Sequence, residues 1–136
     1  MNKREAERQT RQENTLLNLG FTTDEAASLR RISLTLRRWY ERECGDDYGC
    51  IERDNTTGRP YMKTDRGTRY PVPDRETGAI KRLKAIMTAR SERHETPIDY
   101  YLQTDPRGAC LYILRPDDVP AGKDPAAYYS RGICIY

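Results

Sequence analysis

IDYYLQTDPRGACLYILR, residues 98–115, is the stretch on which the fold turns. Its two halves, IDYYLQT (98–104) and ACLYILR (109–115), are rich in β-branched and aromatic side chains. Such residues favour the pleated, half-buried surface of a strand. DPRG stands between them, with Pro106 suited to the second position of a tight turn and Gly108 to its end. The spacing predicts two antiparallel strands, and so a sheet assembled from hairpins.

Working outward, DDVPAGKDP (117–125) reads as a loop and YYSRGICIY (128–136) as a last strand. Upstream, SERHETP (91–97) is a polar link that leaves His94 in solvent. Before it comes a helix that Asp74 is expected to cap and that fades by about Arg93. Its apolar face is Ala79, Ile80, Leu83, Ile86 and Met87, while Lys81, Lys84 and Thr88 point elsewhere. YGCIERD (48–54) and PYMKTD (60–65) read as paired strands around the turn NTTGR. The two prolines of TRYPVPD (68–74) limit regular pairing there.

FTTDEAASLRRISLTLRRWYERE (21–43) is the clearest helix. Thr22 and Glu25 have capping-box spacing, and Ala26, Leu29, Ile32, Leu36 and Trp39 recur on one apolar face. Leu29, Ile32, Leu36 and Trp39 are expected to pack on Leu83, Met87 and the sheet. Residues 2–18 form a more polar helix, frayed or extended over 1–15, with Leu16, Leu17 and Leu19 to bury and Gly20 to stop it. The fold class is α+β: a mainly antiparallel sheet of about five strands, with two or three helices packed on one face. The 136 residues read as one domain, since neither an internal repeat nor a dividing linker is visible.

Composition narrows the function classes. A third of the chain is charged and 36% is hydrophobic, so the core is modest. No run approaches the roughly 20 apolar residues of a membrane span. The start, MNKREAERQTRQEN, lacks the apolar segment of a secretory signal, so the chain is read as cytoplasmic, with no membrane partner. The 24 basic residues barely exceed the 21 acidic ones, unlike a dedicated DNA-packaging protein. Arginine dominates, 19 against 5 lysines, and there are ten tyrosines to one phenylalanine.

CGDDYGC (44–50) invites a metal or redox reading. The gap between Cys44 and Cys50 is wider than the usual two to four residues of about four-ligand zinc sites. Cys110 and Cys134 fall in separate strands, and His94 is the single histidine. C-x-x-C and the calcium-loop pattern are both absent. The stretch reads as a corner: the helix ends near Cys44, Gly45 reverses the chain, Asp46 and Asp47 stay wet, and Cys50 enters a strand. No nucleophile elbow, H-E-x-x-H or phosphate loop occurs, so no catalytic residue, metal or cofactor is expected.

Two binding readings remain open. On the second helix Arg31, Arg38 and Arg42 share a side, with Arg30 and Arg37 beside them, as either a solvated face or a docking face. Basic residues also stand beside tyrosines, at Arg38–Tyr40, Tyr61–Lys63, Arg69–Tyr70 and Tyr129–Arg131. Tyrosine and arginine suit protein hot spots, and equally suit unpaired bases and phosphates. The acidic stretches ECGDD and RPDD could meet a basic partner.

CGDDYGCIERDNTTGRPYM (44–62), followed by YYLQTDPRGACLYI (100–113), resembles small proteins of unknown function encoded by phages, prophages and plasmids of proteobacteria. The resemblance covers most of residues 15 to 116 and supplies no catalytic residue. Small proteins of that setting include anti-defence and anti-CRISPR proteins, which usually bind a defence complex and block its target site or nuclease, though a few are enzymes. The resemblance thus implies a non-enzymatic inhibitor that occupies a host defence protein or ribonucleoprotein complex. The expected contact residues are Arg30, Arg31, Arg37, Arg38, Arg42, Tyr101 and Tyr112. A nucleic-acid-binding accessory protein, in contact with DNA or RNA, is the alternative, and a metal-dependent enzyme the third reading.

Overall fold

The computed structural model describes residues 2–45, 48–107 and 110–136. Three α-helices, α1 (Lys3–Asn18), α2 (Thr23–Glu43) and α3 (Asp74–Arg93), accompany two antiparallel sheets. The first sheet has the order β3 (Arg69–Pro71), β2 (Pro60–Thr64), β1 (Gly49–Arg53), β5 (Gln103–Thr104). The second has the order β4 (Asp99–Tyr101), β6 (Leu111–Leu114), β7 (Ile133–Ile135). The α+β class therefore stands. The single sheet of about five strands does not, because IDYYLQT is two strands rather than one.

The division falls at Leu102. Before it, Tyr100 and Tyr101 pair with Ile113 and Tyr112 of β6. After it, Gln103 and Thr104 pair with Cys50 and Gly49 of β1. Leu102 is buried, and its carbonyl accepts the Ile51 amide at 2.9 Å, which stitches the sheets together at the point of divergence. Both halves are extended backbone, and the partner strands decide which sheet each half joins.

The helices follow their periodicity. Thr22 Oγ1 accepts the Glu25 amide at 3.1 Å and Glu25 accepts the Thr22 amide at 2.9 Å, a complete capping box. α1 ends in a Schellman turn: the Gly20 amide donates to Leu17 O and the Phe21 amide to Leu16 O. Gly20 takes φ +97°, and a Cβ there would lie 2.5 Å from the His94 ring. On α1 Leu16 is buried and Leu17 exposed, and Gln12 is buried too, donating to Cys134 O at 3.0 Å. Asp74 does not cap α3. Pro73 occupies that position without a side-chain bond, and Asp74 sits in the first turn, where its charge complements the helix dipole.

Leu29, Ile32, Leu36 and Trp39 share one buried cluster with Leu83, Met87, Met62, Leu111 and Ile135. β6 is the central strand of its sheet and is buried along its whole length. Pro71 sits on β3, at the edge of the other sheet, where its missing amide does no harm. The terminal stretch is a strand only over Ile133–Ile135. A 3-10 segment, Pro125–Arg131, takes the two tyrosines instead, started by Pro125 and by Asp124 accepting the Ala126 amide at 3.1 Å. Among the described residues no helix is long and apolar enough to cross a membrane.

Candidate functional site

The arginines of α2 separate into two groups. Arg31, Arg38 and Arg42 lie exposed on one side of the helix. Arg31 donates to Ser28 at 3.1 Å, Arg42 pairs with the neighbouring Glu43 at 3.1 Å, and Arg38 has no bond or ion pair among the described residues. Exposed pairs of this kind contribute little. Arg37 is half-buried, pairs with Glu41 at 2.7 Å, donates to Asp105 O at 3.1 Å and covers the Tyr40 ring. It anchors α2 to the chain after β5 and is not a free docking group. Arg30 is half-buried, and its Nε is buried without a hydrogen-bond partner.

Leu34 completes this surface. It lies one turn from Arg30, Arg31 and Arg38 and is 46% exposed. A shallow groove of about 270 Å³ runs beside it, lined by Ala27, Arg30, Arg31, Leu34 and the exposed ring of Tyr136. Sequence reasoning passed over Leu34. Its signal was a leucine on the polar side of an otherwise regular amphipathic pattern.

The two tyrosines named from sequence lie elsewhere. Tyr112 is fully buried, so it is no part of an outward rim. Its hydroxyl donates to Asp105 Oδ2 and accepts from Arg107 at 3.0 Å. Arg107 also forks onto Asp105 at 2.9 and 3.1 Å, and its amide donates to Asp105 Oδ1 at 2.9 Å. Burial pushes the Asp105 carboxyl up, but the bonds from Arg107 and Tyr112 outweigh it and hold the group below the usual range. Burial and the bond to Asp105 raise the Tyr112 phenol, which therefore keeps its proton. The cluster is a structural knot, with a donor for every charge. Tyr101 is half-buried on β4, at the mouth of a different groove.

Sequence neighbours are not the pairs that form. Arg37 lies over Tyr40, Arg69 over Tyr61, Arg107 over Tyr112, Arg131 over Tyr128 and Arg8 over Tyr136, at 4.4–5.5 Å. Arg69 reaches Tyr61 across the β2–β3 pair and not its neighbour Tyr70. RPDD closes on itself: Arg115 Nη2 meets Asp118 at 3.0 Å, and the Arg115 amide donates to Asp118 at 2.8 Å. Asp46 and Asp47, which the sequence reading placed in water, lie outside the described residues.

Cys44, Cys50, Cys110 and Cys134 are free thiols. Burial, with Glu43 and Glu52 adding to it, pushes Cys44 and Cys50 up to about 11, and burial takes Cys110 to about 12. Thiols so raised are poor nucleophiles at neutral pH. Among the described residues no group of three His, Cys, Asp or Glu side chains converges as a metal site would. His94 is not in solvent: its Nδ1 accepts from the buried Arg90 at 3.1 Å. Comparison with protein-family models, with curated proteins and with solved structures found no match.

Proposed function

We propose that this chain is a non-enzymatic binding protein that docks through the outer face of α2 and acts by occupying its partner's surface. The observation that carries the reading is Leu34, 46% exposed and framed by Arg30, Arg31 and Arg38. An apolar anchor inside a ring of arginines suits a desolvated contact with an acidic patch. The resemblance to small proteins of phages and plasmids makes a host defence protein or ribonucleoprotein complex the proposed target, and blocking of its working surface the proposed mechanism.

The test pairs Arg31→Glu/Arg38→Glu with Leu34→Glu. All three side chains are exposed, so each variant should melt within about 4 °C of wild type. Partners captured from a proteobacterial host extract by the wild type are identified, purified and titrated against each variant. Loss of affinity by at least about 100-fold in both is expected, since charge reversal opposite an acidic patch costs several kcal/mol. Binding unchanged in both would remove α2 from the mechanism.

A further inference from the structure

The divergence at Leu102 opens a groove that the α2 surface does not use. Past the bond from the Ile51 amide to Leu102 O, β1 and β4 run apart, and α3 spans the gap. The resulting cleft holds about 270 Å³. Its floor is apolar, from Ile51, Ile80 and Leu102, and Tyr100 lines it from the same face as Leu102, while the ring of Tyr101, next on the strand, points to the opposite face. The lining also carries three cations, Arg53, Lys81 and Lys84.

These groups have been left available. Lys81 and Lys84 are exposed, one turn apart on α3, and neither has an ion pair among the described residues. Arg53 is held in place by one bond, from its Nε to Gly58 O at 3.1 Å. Glu52, the one carboxylate in the lining, accepts the Tyr61 hydroxyl at 2.7 Å. Five other tyrosines carry an arginine on the ring, but no cation covers Tyr100 or Tyr101, and neither hydroxyl has a partner among the described residues.

Size and charge select the ligand. Pockets that engulf a whole small molecule run from about 300 Å³ upward, so this cleft takes one planar group and leaves the rest outside. The anions must then lie outside the slot, along a chain that passes the lysines. Lysine serves phosphate as a point charge, whereas carboxylate recognition favours the arginine fork, and lysines outnumber the single arginine here. A base joined to a phosphodiester chain meets these conditions. A duplex does not, because its bases are stacked and paired. We infer that the groove binds single-stranded nucleic acid, seating one base against the ring of Tyr100 and phosphates on Arg53, Lys81 and Lys84.

The test uses the full chain and fluorescein-labelled DNA and RNA single strands of about 12 nucleotides, within the range of small single-strand sites. Anisotropy is followed between about 50 and 200 mM salt, with the matching duplex and an acidic phenylalanine-containing peptide as competitors. Three phosphate contacts predict a log–log salt slope near about −2 on single strands. Lys81→Glu/Lys84→Glu should weaken binding at least about tenfold, and the neutral Lys81→Gln/Lys84→Gln less but in the same direction. Tyr100→Leu, which keeps an apolar side chain but removes the ring, should cost about 5-fold or more, the lower end for loss of one stacked base. Arg31→Glu/Arg38→Glu should bind as wild type, which separates this site from the α2 surface. A preference between the DNA and RNA strands would identify the source without altering the inference. No binding at low salt, equal binding of duplex, displacement by the acidic peptide alone, or indifference to both lysine pairs would each overturn it.

Discussion

Arg90 is the largest fully buried side chain, and removing it is the sharpest test of how the helices are locked. Its guanidinium donates to Leu19 O at 2.8 Å, to Thr96 O, and to His94 Nδ1 at 3.1 Å. These acceptors lie at the end of α1 and in the link after α3, so one side chain ties the two together. Among the described residues no carboxylate touches it, and burial, helped by the charge of Arg93, lowers its affinity for the proton. Hydrogen bonds to a charged donor are worth about 1.5–3 kcal/mol each, so three sum to roughly 4.5–9 kcal/mol gross. Arg90→Met returns part of that, because the cost of burying the charge disappears while the aliphatic stem is kept. The net loss expected is about 3–5 kcal/mol. For a chain of this size that corresponds to a fall in Tm of roughly 9–20 °C. Arg90→Lys keeps the charge but not the fork, and should also lose at least about 2 kcal/mol. Urea unfolding with a two-state fit reads both values. A loss below about 1 kcal/mol for Arg90→Met would refute the reasoning, since the three acceptors would then be satisfied without the guanidinium.

Two further outcomes follow from the same geometry. Leu36 is fully buried, so Leu36→Ala should cost about 2–5 kcal/mol by denaturant unfolding, and a value near zero would refute that burial, since collapse around the cavity would leave the lost transfer free energy in place. Asp105, Glu25 and Asp118 have carboxyls held below their ordinary values in the fold: burial opposes this, but Arg107 with Tyr112, Arg93 with Thr22, and Arg115 outweigh it. Their contribution is full above the unfolded values, near pH 4, and is lost as pH falls through the lower folded values. Stability should therefore fall below about pH 4, and Asp105→Asn should flatten part of that fall; an unchanged acid limb would place the loss elsewhere.

Helix positions were legible because their cause is local. The apolar repeat from Ala26 to Trp39, the Thr22–Glu25 box and the glycine stop at Gly20 each act within a few residues, and the structure keeps all three. The strands were legible as strands for the same reason, since branched and aromatic side chains favour extended backbone wherever they lie. What the strands pair with is a property of distant residues. Tyr101 and Gln103 stand two apart, both in extended backbone, yet one joins β6 and the other β1, so the second sheet and the groove at Leu102 arise only on folding.

The same distinction sorts the candidate site. Helical spacing placed Arg31, Arg38 and Arg42 on one side of α2. It could not tell that Arg37 would be drawn down to Asp105 O, or that Tyr112 would lie beneath Arg107 rather than at a rim. A charged or aromatic side chain has several partners of nearly equal worth, and which it meets depends on where other elements deliver their carbonyls and carboxylates. Composition and periodicity therefore determined the class, the helices and the basic face, while tertiary packing decided which arginines and tyrosines remain free to bind.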